Sequence, residues 1–423
     1  MKLKRTIVIS TLLTFILTLS VWAQDISLTL GEALSIGLRD NHDILLKQDD
    51  VKKAKAKIKE AESGLLPTLT FSAGVNKSRG YLTKDLTQTT TQTTLKQYLY
   101  KGGKTINTIK KNEYDMEVSE AILDETKLDV ISGIEKAFYT LLLAKEYSQL
   151  NKGIVENIQE HLDSLKERYR DGLVSGSDIL NIESSLENAK EAYENSLNQL
   201  EASRALLNNL LYLDNDTKIS ANAEFAYDTN DIAYEESLLE AIKNRPEIKQ
   251  YEAQIKSDKK NVEITKADNR PSIYASWDYY SRSHAVTGTN RNWNDYNIIG
   301  LTLSWPVFDG WLTKAKVEQA IIDLKETQIM KEKTVKDIAL ELKNAYLSLK
   351  DAIAKIKSSD SDIKVYDDNL STVSEKYKSG LSSFIDVDDA SLKYDVAMFN
   401  KKQAIYDHII AKIDFEKATG GLR

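Results

Sequence analysis

A chain of 423 residues without a single cysteine can form neither a disulfide nor a thiolate metal site, and it offers no N-terminal cysteine for a lipid anchor. Its 64 acidic residues outnumber 57 basic ones, for a formal charge of −7, which argues against nucleic acid as a partner. Only four prolines interrupt it, fewer than a string of compact domains of that total length would carry.

The N-terminus sets Lys2, Lys4 and Arg5 before an apolar run from Ile7 to Val21 and ends in Val21-Trp22-Ala23, the pattern of a secretory signal peptide over residues 1–23. Its removal would take the formal charge to −10, three leader cations below −7. Beyond it no apolar run reaches the roughly 20 residues of a spanning helix, so a membrane crossing would have to use strands. A helical pattern over about 30–62 leads through Leu65-Leu66-Pro67-Thr68-Leu69 into a strand over about 68–79. There Leu69, Phe71, Ala73 and Val75 alternate with Thr68, Thr70, Ser72 and Gly74. A polar connection over 79–88 and a threonine- and glutamine-rich strand over about 89–100 follow. Gly102-Gly103 lacks the third glycine or Gly-Lys-Ser/Thr of a phosphate loop and marks a turn from strand to helix. From Lys104 to Arg170 the sequence is charged, proline-free and helical, a rod on the order of 100 Å long. It breaks at Gly172, and a returning helix runs over about 177–211.

After a linker over 213–233 the same order recurs. Residues 34–44 lie over 238–248, and the proline before the first strand, Pro67, lies over Pro271. Strands are expected over about 272–283 and 295–308, the last with Ile299, Leu301, Leu303, Trp305 and Val307 on one face. The second rod, from Trp311 to Ser379, carries a heptad seam that includes Val335, Ile338, Leu342, Ala345, Leu349, Ala352 and Ile356. Both rods end in one motif, Tyr-x-x-Gly-Leu-x-x-x-x-Asp-Ile/Val, at Tyr169 to Ile179 and again 208 positions later at Tyr377 to Val387. The fold class is therefore mainly α with a β contribution: a helix-strand-strand-helix unit duplicated as 24–212 and 234–423.

Four strands cannot close a barrel, so their apolar face implies either a sandwich core or several chains pooling strands in a membrane. No catalytic constellation is visible: His42, His161, His284 and His408 are scattered, and no metal or cofactor motif is present. Asp386, Asp388 and Asp389 crowd one helix start, where the helix dipole by itself favours acidic residues. If several chains converged there, the same residues would form a ring of negative charge at a pore.

The duplicated order, Leu-Leu-Pro-Thr-Leu before the first strand, Leu-Ser-Trp-Pro-Val-Phe-Asp-Gly after the fourth and the two Tyr-x-x-Gly tips together resemble the TolC family of outer-membrane efflux proteins. The resemblance covers essentially the whole chain after the leader. It implies a homotrimer in the outer membrane, each chain giving four strands to a 12-stranded transmembrane barrel and its helices to a long coiled-coil α-helical barrel in the periplasm. It further implies a passive conduit, not an enzyme and without cofactor, serving a tripartite efflux or type I secretion system. The partners implied are outer-membrane lipid, a periplasmic adaptor and an inner-membrane RND or ABC pump. Family positions carried over give Asp386 and Asp389 as the pore constriction and Tyr377 and Asp178 as closed-state links. The two turns, Gly172, Leu173, Val174 and Gly380, Leu381, Ser382, would be the tips on which the adaptor docks. The family prototype has arginine where this chain has Ser382, so closure here would rest on hydrogen bonds and coiled-coil packing. The alternative class is a periplasmic coiled-coil adaptor or scaffold, which should carry one hairpin and a separate β-domain.

Overall fold

The computed structural model describes residues 26–81, 84–171, 175–228, 233–286 and 292–421. The leader expected over 1–23 and the first-tip residues Gly172, Leu173 and Val174 lie outside the described residues. The first half contains β1 (Ile26–Leu28), α1 (Leu30–Asp40), α2 (His42–Ser63), β2 (Thr68–Tyr81), β3 (Lys84–Lys101), α3 (Lys104–Arg170) and α4 (Gly176–Leu210). The second contains β4 (Ile219–Ala221), α5 (Tyr234–Asn244), α6 (Pro246–Lys266), β5 (Ser272–Val286), β6 (Asn292–Ser304), α7 (Leu312–Lys378) and α8 (Phe384–Thr419). The two rods are equal, at 67 residues each.

Local chemistry starts these helices where they start. Thr29 and Glu32 form a reciprocal capping box at α1, Asn41 accepts the N–H groups of Asp43 and Ile44 at α2, and Pro246 opens α6 where no intrahelical donor is needed. In their strand-proximal parts α3 and α7 pack beside α2 and α6; further on they pair with α4 and α8 to form two hairpins. Contacts of α3 with α6 and α8 join the halves. The largest buried cluster centres on Ile134, Phe138 and Leu141 of α3, with Leu207 and Leu211 at the end of α4. A second holds Ile338, Leu342 and Ala345 of α7 against Phe415 and Ala418 of α8. The heptad seam is thus buried through Ile356, while Tyr366 and Tyr377 nearer the tip are exposed.

Strand order is β2-β3-β5-β6, antiparallel throughout. The register aligns Leu69, Leu95, Trp277 and Ile299 in one row across all four strands. On the opposite face the Asp278 carboxylate accepts from Thr94 Oγ1 at 2.5 Å and Gln92 Nε2 at 3.1 Å. Among the described residues no second layer covers the apolar face: Leu69, Phe71, Ile299, Leu301 and Leu303 are 65–84% exposed. A sandwich core is therefore excluded for the described residues, and so is the separate β-domain of an adaptor.

Several strand boundaries differ from those read in the sequence. Strand β2 extends to Tyr81 and β3 begins at Lys84, well inside the connection expected over 79–88. Polar side chains on both faces hide a period of two without weakening the backbone ladder. Likewise β5 runs to Val286 and β6 begins at Asn292, inside the polar connection expected over 283–294. Strand β6 also stops at Ser304, not 308, just before Trp305 and Pro306, whose nitrogen carries no hydrogen for a ladder. The linker expected over 213–233 contains β4, which pairs in parallel with β1 and staples the junction between the halves.

The helical tips as candidate aperture

At the end of α7 the chain reverses in a Schellman turn. Leu381 N–H donates to the Lys376 carbonyl at 2.8 Å and Gly380 N–H to that of Tyr377 at 2.9 Å, with Gly380 at φ +75°. A Cβ at Gly380 would meet nothing within 4 Å. Gly380→Ala should therefore cost backbone strain alone, about 1 kcal/mol, seen as a small fall in the denaturation midpoint. A loss of several kcal/mol would show instead that this turn is tightly enclosed.

Beyond the turn, Ser383 caps α8. Ser383 N–H and Oγ donate to Asp386 Oδ2, each at 2.8 Å, Ser382 Oγ adds a bond at 3.2 Å, and Asp386 N–H returns one to Ser383 Oγ at 3.3 Å. These bonds, the Ser383 backbone N–H first, hold the Asp386 carboxyl below the usual range. A depressed value adds stability above the unfolded-state value and loses it only as pH falls through the folded one, so the cap survives mild acid. The first tip repeats the device. Asp178 Oδ2 accepts from Ser175 N–H at 3.1 Å and Ser175 Oγ at 2.8 Å, which makes Asp178 the repeat counterpart of Asp386.

The other carboxylates are placed differently. Asp389 accepts from Lys393 Nζ at 2.7 Å, one turn on along the exposed face of α8. Asp388 turns inward: it lies 3.8 Å from His161 Nδ1 of α3, and burial pushes it up against the opposing effect of that ring. Tyr377 is exposed in the last turn of α7, and Leu381 is 80% exposed at the tip. Asp386, Asp389, Tyr377, Leu381 and Ser382 thus gather around one turn, whereas Asp178 belongs to the other. Both Ser-x-x-Asp caps and the Asp389/Lys393 spacing were open to a sequence reading; the contact of His161 with Asp388 had no local signal.

An uncovered apolar sheet with two open edges, carried on rods about 100 Å long, is the architecture of a chain that sets strands in one membrane and reaches far from it. The family model for outer membrane efflux proteins matches residues 33–211 and 238–421. The chain belongs to that family. It is similar to the outer membrane protein TolC of Escherichia coli K12, 21% identical over 398 residues that cover 88% of this chain and 78% of TolC. Among solved structures it resembles the Campylobacter jejuni CmeC outer membrane channel, with a TM-score of 0.78, 20% identity and coverage of 93% of this chain and 85% of that one. The open state of the Neisseria gonorrhoeae MtrE outer membrane channel gives 0.77, 18%, 93% and 89%. This protein is an outer-membrane exit channel of an efflux system, its strands in the outer membrane and its helical rods in the periplasm.

Proposed function

We propose that three copies of this chain pool their sheets into one 12-stranded barrel and their hairpins into one tunnel. The tunnel narrows at Asp386 and Asp389, with Tyr377 and Asp178 linking neighbouring hairpins in the closed state. The observation that carries this reading is the sheet itself: among the described residues β2 pairs only with β3 and β6 only with β5, and the face beside those open edges is apolar and uncovered. In a bilayer an open edge leaves backbone groups without partners, so edges must close on other copies. The substrate passes without chemistry, and repeats 24–212 and 234–423, joined by 213–233 after loss of the 1–23 leader, are the working units. Gly172, Leu173, Val174, Gly380, Leu381 and Ser382 form the periplasmic tips. There the channel receives a periplasmic adaptor and, through it, an inner-membrane RND or ABC pump of a tripartite efflux or type I secretion system.

The test is single-channel recording. Asp386→Asn keeps an acceptor for the Ser383 cap but removes the charge, and together with Asp389→Ala it should reduce cation selectivity and block by a trivalent cation from the periplasmic side. Asp386 should contribute more than Asp389, because Lys393 already offsets the latter; Lys393→Ala should raise cation selectivity. Wild-type selectivity in the double variant would move the constriction elsewhere.

A further inference from the structure

Near its middle, α3 runs beside the last turns of α8, and between them lies a cavity of about 360 Å³. Ile409 and Ile413 of α8 and the rings of Tyr139 and Tyr227 give it apolar walls. Two polar atoms stand out in that lining. Glu135 Oε2 of α3 and His408 Nδ1 of α8 are both buried, and among the described residues neither has a hydrogen-bond partner. His408 is only 1% exposed, yet a Leu would fill nearly the same volume without the cost of an unmade bond.

The protonation of each group follows from its neighbours. Burial first, and the Lys412 ammonium second, push His408 down, against the opposing effect of the Asp228 carboxylate and backbone. A neutral imidazole keeps one lone-pair nitrogen, and Nδ1, without a partner among the described residues, can serve as that acceptor. Burial and then the Glu416 carboxylate push Glu135 up to about 7. Lys412 of α8, also in the lining, lies 4.0 Å from Glu416. Glu135 has no ion-pair partner of its own among the described residues, and Asp228 adds a further carboxylate to the lining.

We propose that this cavity binds a small organic ammonium ion, its N–H groups donating to Glu135 and His408 and its apolar body lying against Tyr139, Tyr227 and the two isoleucines. A metal ion fits less well, since no group of three His, Cys, Asp or Glu among the described residues could hold one. An organic cation needs only one or two acceptors, and aromatic walls add attraction. Because α3 belongs to the first repeat and α8 to the second, the occupant ties the two repeats together. The affinity rises with pH, since Glu135 must give up its proton to accept the cation.

The test is calorimetry on the detergent-solubilised protein with phenethylammonium, and with neutral phenethyl alcohol as control. Saturable binding is expected at about pH 8, several-fold weaker at about pH 6, where Glu135 is protonated. Glu135→Gln should weaken it about tenfold and flatten the pH dependence. Ile413→Trp, which fills the cavity without touching a charge, should abolish it. No saturable binding at about pH 8, equal binding of the alcohol, or unchanged binding in Ile413→Trp would each overturn the site, whether or not Glu135→Gln folds. None of these outcomes bears on the aperture at the tips.

Discussion

Arg245→Met is expected to cost about 3–5 kcal/mol, the range for breaking a buried ion pair from one side. Arg245 sits between α5 and α6 and is 5% exposed. Its guanidinium donates to both Glu247 oxygens at 3.0 and 2.5 Å, to both Glu341 oxygens of α7 at 3.3 and 2.9 Å, and to the Lys417 carbonyl of α8 at 3.0 Å. One side chain therefore fastens the start of the second repeat to its rod and to its last helix. The end of α8 is pressed close to the same point: a Cβ on Gly420 would come within 3.0 Å of the Arg245 nitrogen. Methionine keeps the volume but strands Glu247, whose side chain is 19% exposed, beside Glu125, whose carboxyl burial and then Glu247 already push up. Glu341, at 42% exposed, regains water and loses less. Arg245→Lys should recover only part of the loss, since a single ammonium cannot serve two carboxylates and a carbonyl in that fork geometry. Denaturant unfolding reads the effect, and adding Glu247→Gln to Arg245→Met should return part of it. A change under about 1 kcal/mol would mean that the cluster gains nothing over solvent.

Ile299→Arg is expected to prevent assembly in the outer membrane. Ile299 lies in the row with Leu69, Leu95 and Trp277 and is 84% exposed in the single chain, so it faces lipid once the sheets close. An arginine on the lipid face costs about 2–4 kcal/mol near the bilayer midplane and falls to about 0–1 kcal/mol at the interface. Leu303→Arg, one residue from the end of β6 at Ser304, should cost less than Ile299→Arg. Thr302→Arg, opposite Tyr274 on the polar face, should assemble normally. The amount of heat-modifiable oligomer in the outer-membrane fraction orders the three variants. Normal assembly of Ile299→Arg with failure of Thr302→Arg would reverse the faces, the signature of a one-residue error in the register.

Features that depend on residues close together along the chain could be read before any fold was known. The period of two in Leu69, Phe71, Ala73 and Val75, the steps of three and four from Ile338 to Ile356, the glycine turn at Gly380 and the Ser383/Asp386 cap are all local. The duplication was legible for the same reason, since two short motifs 208 residues apart can be laid over one another without knowing how either folds. Tertiary structure decided the rest. Strands β1 and β4, three residues each, are too short to show alternation and exist because they pair with each other. The contact of His161 with Asp388, the inward turn of Asp388 away from Asp386 and Asp389, and the meeting of Glu135 with His408 depend on which faces of α3 and α8 are brought together. Each residue turns an α-helix by about 100°, so a charged residue on a 67-residue rod looks the same in sequence whether it faces water, a partner helix or a cavity. Only the packing of one rod against another assigns the face, and that packing sums weak contacts along the whole rod, none of which is marked at any single position.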